Sequence, residues 1–458
     1  MDFANTMTTD TLTEALAVQL VRPVDDETLV RAALHVHDWI GCAFAGAAQP
    51  VGVALAAAIQ AEGSGPCVAL GQSESLSPAA AAFHNGGLGN VLEMDDIHRT
   101  SILHPGPVVI PAALAAAQWI GASPQRFLMA VVRGYEAAIR IGRSVGPGHY
   151  ALWHNTSTCG GFGAAAAVAD LMDLTPEQTV WALGNAGAQS SGPFRCRHEP
   201  VMTKQLHTAH AAQAGLKSAM LAGCGFTGPR AMLEGEQGFY AAMAPDADPE
   251  AVMAAPDAAW LVWETSFKPW PSCRHTHPAI DAALILYQQN LPLNAATRVG
   301  IETYRDGLVI CDQAVPTTEA LAKFSLQHAV AVTLRNGPPA LDQFRGSSLT
   351  DLSVAELRSR CAISATERFE DAYPDHYGAA VIVEFQDGHV VEASCPDALG
   401  DPENPLDPEA VRTKAQTLMV DAGLEDDAIA DIRKACVELP CSDSLSALTQ
   451  ALTDCRLP

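Results

Sequence analysis

From about Asp10 to Thr265 the hydrophobic positions recur at helical spacing. The stretch DDETLVRAALHVHDWIGCAFAG has acids in its first turn, apolar residues three and four apart, and Gly46 placed to end the helix. TPEQTVWALGNAGAQ opens on a capping box, with Thr175 as cap, Pro176 at the first helical position and Gln178 three residues on. SPQRFLMAVVRGYEAAIRIG starts the same way at Ser123, and the small residues of CGGFGAAAAVADLMDL allow close helix-to-helix approach. After FKPWPSCRHTH the period changes. TRVGIETYRDGLVIC, CAISATERF and AAVIVEFQDGHVVEASC are β-branched and alternating, and Asp387-Gly388 between two alternating runs is a two-residue hairpin signal. A helix is expected near AKFSLQHAVAVTL, and GDPENPLDPEA punctuates the chain before helical, acidic sequence resumes. The pattern predicts a mainly α protein with a second α+β domain. The helical domain spans 1–266, the α+β domain 267–397, and 398–458 returns to the helical domain.

Length and composition support that division. A chain of 458 residues is too long for one compact core and implies two or three domains with a shared cleft. With 48% hydrophobic and 17% charged residues it is an alanine-packed globular protein. The formal charge of −25 and the lack of a basic stripe argue against nucleic acid. If the substrate is an anion, the cations must be concentrated where it binds. The N-terminal MDFANTMTTD lacks a basic segment followed by an apolar core, so no secretory signal is expected there. Val108 to Ala122 contains a proline and a glutamine and falls short of the roughly 20 residues a membrane span requires. The expectation is a soluble, cytoplasmic protein without a membrane partner. Twelve cysteines with no C-x-x-C read as thiols of a reducing compartment, not as a zinc or iron–sulfur site.

Four stretches are dense in proton-handling groups. LEMDDIHRTSILHPG packs Glu93, Asp95, Asp96, His98, Arg99 and His104 ahead of Pro105-Gly106. GHYALWHNTSTCGGFG sets His149 and His154 before a glycine-rich helix start, where backbone N–H groups suit a carboxylate. FRCRHEPVMTKQLHTAH carries Arg195, Arg197, Lys204, His207 and His210. FKPWPSCRHTH carries Lys268, Arg274, His275 and His277 at the expected domain boundary. Lys204, His207 and His210 are three apart and so lie near one helix face, where an ammonium beside an imidazole favours the neutral, basic ring.

Bland readings compete with each of these. A single histidine is more often a cap or core residue than a catalyst, and His149, His198 and His275 keep that reading. Cys159 and Cys273 read as packing thiols, because nothing argues for an activated thiolate. Arg195 and Arg197 fit surface ion pairs as well as substrate contacts. There is no H-E-x-x-H, no G-x-G-x-x-G after a strand, no G-x-x-x-x-G-K-[ST] and no G-x-S-x-G, so no metal and no cofactor is expected. What remains is acid–base chemistry on an anion, in which charge developing on a carboxylate is stabilised by Lys or Arg while an imidazole or lysine takes the proton.

The motifs LEMDD-H----HPG-VVIPAALA, WH-T-TCG-FGAAAA, MTKQLHTAHAAQAGL-SAMLA--GFTGP, FKPWPSCRHTHPAIDA, PTTEALAKFSLQHAVAVTL and GDPENPL occur in this order. Together they resemble the MmgE/PrpD family, which includes methylcitrate dehydratases, cis-aconitate decarboxylases and iminodisuccinate epimerases, from about residue 28 to about 420. The resemblance implies a helical domain built from both ends of the chain, a smaller α+β lid between them, a homodimer and no metal. It places catalytic groups at Asp95 or Asp96, His104, His154, Lys204 and His277, with Lys268 close by. His98, Arg195, Arg197, His207, Lys268 and Arg274 are the candidate substrate contacts. Ile97 stands where many members have threonine, and Ala209-His210 where a glycine and a base often follow. The expected activity is a cofactor-independent lyase, a dehydratase first, removing a proton alpha to a carboxylate of a small di- or tricarboxylate. An epimerase or isomerase, a decarboxylase, and a carboxylate-binding protein without catalysis are the alternatives.

Overall fold

The computed structural model describes residues 10–457; the N-terminal stretch read above lies outside them as far as Thr9. The protein is a large helical domain plus a smaller α+β domain, with 20 α-helices among the described residues. Two compact units divide the chain. The larger is formed by residues up to Val91, by Ser101–Glu264 and by Pro408 onward, and the smaller by Leu92–Thr100 and Thr265–Asp407.

The larger unit is built around the helix Asn155–Leu171, which is buried along almost its whole length. Helices Pro124–Ser144, Thr203–Gly223, Gly106–Ile120 and Pro176–Gly187 pack around it. Glycine and alanine at the crossings make this possible. A methyl group on Gly215 would collide with Ala164 and the Gly161 carbonyl, and one on Gly163 with the Gly134 carbonyl. Backbones that approach so closely gain many dispersion contacts that larger side chains would prevent. Local capping agrees with the sequence. Asp25 caps Asp26–Ala47 by accepting the Thr28 N–H at 2.8 Å, and Thr175 and Gln178 form the expected capping box. Gly46 does not end its helix, which runs on to Ala47. It is there because any side chain would strike the carbonyl of Leu88.

The smaller unit holds a four-stranded sheet in the order Cys361–Ala365, Ala296–Thr303, Ala379–Phe385, Val390–Cys395. The first pair is parallel and the others antiparallel, with Val299 opposite Cys361 and Val383 opposite Val391. Helices His277–Tyr287 and Leu326–Asn336 share one core with it, where Ala282, Leu286, Val330, Val299, Val381 and Val383 are fully buried. Three local expectations change. YRDGLVIC continues as a helix, Arg305–Cys311, not as strand. The hairpin closes over three residues, 386–388, with Gly388 left-handed at φ 83°. AKFSLQHAVAVTL breaks at Phe324, because Ser325 caps a second helix through the His328 N–H. Among the described residues no single helix is long and apolar enough to cross a membrane.

Candidate active site

The larger unit gathers the histidines around one helix start. His154 is the N-cap residue of Asn155–Leu171, its N–H donating to the Gly192 carbonyl at 3.0 Å. Residues 101–104 are tied to the same turn: Asn155 donates to the Ser101 carbonyl at 2.8 Å, and the His104 N–H to Thr156 Oγ1 at 3.1 Å. From the neighbouring helix Thr203–Gly223, His207 reaches across so that its Nδ1 lies 3.2 Å from Nδ1 of His154. Both rings are buried. One Nδ1 must carry a proton and the other a lone pair, since two lone pairs or two N–H groups would repel. The His207 imidazole is pushed down to about 4, first by burial and then by Lys204 and His210, so it is neutral at physiological pH. Lys204 is half-buried one helical turn away.

The segment FRCRHEP contributes a different residue from those expected. Phe194 stacks on His154 with ring centroids 4.7 Å apart, and the Arg197 guanidinium lies 5.6 Å from the centroid of the Phe194 ring. Arg195, one of the expected substrate contacts, stands apart from this stack. Its side chain is 76% exposed and is ion-paired with Glu199 at 2.8 Å, one turn along. Arg197 likewise donates to its neighbour His198 at 3.2 Å.

The smaller unit holds a second polar cluster. Ile97–His98 pairs as a short strand with Thr265–Ser266, which carries Glu93, Asp95, Asp96 and His98 into this unit. The fully buried Lys268 ammonium sits 3.2 Å from Asp95 and 3.7 Å from Glu93. It is therefore the counter-ion of two buried carboxylates. Arg274 is taken up in the same way. It is ion-paired with the fully buried Asp401 and donates to the carbonyls of Leu399 and Ala398 and to Nδ1 of His277 at 3.2 Å. A guanidinium can only donate, so His277 Nδ1 accepts and its Nε2–H donates to the Ser272 carbonyl at 3.1 Å. With both nitrogens hydrogen-bonded in this way, His277 is held in a set orientation at the start of its helix.

Asp401 was not singled out in the sequence because GDPENP reads as a linker. It accepts from Ser266 Oγ at 2.6 Å as well as pairing with Arg274 and, at 3.4 Å, with Arg99. The signals in the sequence are an acid in a Gly-Asp-Pro turn and the place of GDPENPL among the six ordered motifs. Arg99 also pairs with Asp397 at 3.2 Å and Glu403 at 2.8 Å. His376, Asp397 and Glu403 are close enough together for one metal ion. However, Arg99 is already ion-paired with both carboxylates, and the hydrogen bond between His376 Nδ1 and Asp397 raises the His376 pKa, which favours the protonated ring that cannot ligate. The set fits an ion-pair network better than a metal centre. The residues given bland readings keep them. His149 is bonded to the Met243 carbonyl at 2.9 Å and Thr158 at 2.8 Å, and His275 to the Tyr304 hydroxyl at 2.7 Å. The fully buried Cys159 thiol is pushed up to about 12.

Comparison with known proteins gives the family of the chain. The descriptions MmgE/PrpD N-terminal domain and MmgE/PrpD C-terminal domain match residues 11–252 and 270–439. The chain belongs to the MmgE/PrpD family. Within it, the chain is 28% identical over 92% of both chains to the cis-aconitate decarboxylase-like protein oryM of Aspergillus oryzae. It is 27% identical over 86% of both chains to a cis-aconitate decarboxylase of Aspergillus terreus. A mitochondrial 2-methylcitrate dehydratase of Yarrowia lipolytica is 23% identical over 50% of this chain and 46% of its own. Two of these MmgE/PrpD relatives are named as enzymes, one a decarboxylase and one a dehydratase.

Proposed function

We propose that the protein is a cofactor-independent lyase acting on a small di- or tricarboxylate by proton transfer at a carbon alpha to a carboxylate. The observation that carries the reading is the buried imidazole pair His154–His207, 3.2 Å apart, with one ring kept neutral beside Lys204. A neutral imidazole accepts the proton from carbon, the electron pair passes into the adjacent carboxylate, and the Lys204 ammonium stabilises the charge formed there. In dehydration, the first reading, the same proton inventory supplies the departing hydroxyl, which leaves as water. Decarboxylation is the second reading, favoured because the relatives matched over 86–92% of the chain carry decarboxylase names while the dehydratase matches only half of it. There the C–C bond to a carboxylate breaks and the pair's proton goes to carbon. Lys268, Arg274 and His277 act by holding the charges and turns of the smaller unit. The enzyme works as a homodimer, as its family resemblance implies, which light scattering of the purified protein tests.

The deciding experiment incubates chelator-treated protein with a panel of di- and tricarboxylic acids in deuterated water and follows it by proton NMR. A new alkene with loss of the α-proton signal supports dehydration, and released carbon dioxide supports decarboxylation. Deuterium incorporation without bond cleavage points to an epimerase. No change with any acid would overturn the proposal.

A further inference from the structure

The two imidazoles are joined through their Nδ1 atoms, an arrangement that does more than place two bases side by side. We propose that His154 and His207 act as a two-ring proton relay in which His207 receives the proton at Nε2 and His154 carries the resulting charge. This deepens the lyase reading above and rests on it.

Three observations set the direction. First, the 3.2 Å Nδ1–Nδ1 contact holds one shared proton between buried rings, so any proton gained at one end moves it toward the other. Second, the surroundings of the two rings differ. Lys204 and His210 lie on the His207 helix and oppose positive charge on that ring, whereas His154 lies flat on Phe194, 4.7 Å between centroids and 20° from parallel. An aromatic face attracts a cation, and Arg197 over Phe194 at 5.6 Å competes only from farther away. Third, His207 Nε2 makes no hydrogen bond among the described residues, while its Nδ1 is engaged.

The step balances without any outside reactant. At rest His207 carries its hydrogen on Nδ1 and donates it to Nδ1 of His154, whose own hydrogen is on Nε2. The substrate C–H bond breaks and its electron pair stays with the substrate, as an enediolate. A new N–H bond forms at His207 Nε2, and the shared proton crosses to His154 Nδ1. His207 is again neutral and His154 is an imidazolium over Phe194. Its Nε2–H is then the acid that protonates the departing hydroxyl or hands the proton to solvent. Phe194 is a positioning residue in this scheme, acting only through the charge on His154.

The test uses the full chain labelled with ¹⁵N-histidine. In the resting protein His207 is expected as the Nδ1–H tautomer and His154 as the Nε2–H tautomer, assigned through His154→Gln and His207→Gln; the opposite tautomers would overturn the direction proposed. This arm requires no substrate, so it fails independently of the lyase reading. The kinetic arm uses His207→Asn, which keeps a hydrogen-bonding oxygen near the Nδ1 position but cannot pass a proton on. It is expected to lower kcat by roughly 10²–10⁴-fold with little change in KM, the range for general acid–base groups. Wild-type kcat and an unchanged pH profile in His207→Asn would overturn the relay. His207→Ala with added imidazole guards against a merely structural effect: recovery of activity is expected, and a protein that folds but shows no recovery at any imidazole concentration would overturn the proposal. Phe194→Leu, which keeps the apolar bulk but removes the ring face, is expected to move the acidic limb of the pH profile downward, and an unmoved limb counts against the charge resting on His154.

Discussion

Replacing Lys268 by methionine would show what holds the smaller unit's polar cluster together. The fully buried ammonium lies 3.2 Å from Asp95 and 3.7 Å from Glu93. At an effective dielectric of about 20, Coulomb's law gives each contact about 4–5 kcal/mol of attraction, most of which offsets the cost of removing the ions from water. Removing only the cation leaves that cost uncompensated, and breaking such a pair costs roughly 3–5 kcal/mol. The variant has one escape, which is to protonate a carboxyl. For a group with an ordinary value near 4 this costs about 4 kcal/mol at pH 7 and about 1.4 kcal/mol at pH 5. The sign follows. The variant's native state binds a proton that its unfolded state does not, so its stability relative to wild type falls as pH rises above about 4 and recovers toward acid. Urea unfolding of both proteins at pH 5, 6 and 7, followed by circular dichroism, should give a deficit of 3–5 kcal/mol at pH 7. That deficit should shrink by up to about 2.7 kcal/mol at pH 5. Adding Asp95→Asn to Lys268→Met should restore part of it. A deficit below about 1 kcal/mol, or one that does not change with pH, would refute the assignment of Lys268 as the counter-ion of this cluster.

Other consequences can be checked more simply. Alanine at His104, His154 or Lys204 should lower kcat by roughly 10²–10⁴-fold with the fold intact by circular dichroism; near-full activity in all three would remove the larger unit's cluster from the mechanism. His37 and His328 are both pushed down to about 4, chiefly by burial. Because the unfolded state protonates first, stability should be full above about 6.5 and fall as pH drops toward 4, by roughly 3 kcal/mol per histidine. Denaturation midpoints that are flat across that window would contradict their neutral burial. Gly46→Ala, forced against the Leu88 carbonyl, should cost about 1–3 kcal/mol in a melting or urea experiment. Arg195→Ala, at an exposed pair with Glu199, should change stability by less than about 1 kcal/mol and leave kcat/KM unchanged. A large rise in KM would return Arg195 to the substrate.

The amino-acid order by itself determined what depends on neighbours along the chain. Period, caps and turn residues sufficed for the helices at Asp26, Pro124 and Pro176 and for the hairpin around Gly388, because a capping bond or a left-handed turn is settled within a few residues. The ordered motifs sufficed for the MmgE/PrpD family and for His154 and Lys204 as candidates. What depends on residues far apart had to wait for the tertiary structure. His154 and His207 are 53 positions apart, and no spacing rule joins them; the close packing of two alanine- and glycine-rich helices does. Asp401 looks like a linker acid until Arg274, Arg99 and Ser266 converge on it, and Lys268 looks like a substrate hand until Glu93 and Asp95 are seen beside it. Gly46 looks like a helix stop until the Leu88 carbonyl is found against it. A cation in sequence carries no sign of which anion will neutralise it. Whether a charged group is left for chemistry or consumed in holding the fold is set by burial and partner geometry, and those exist only once the chain has closed on itself.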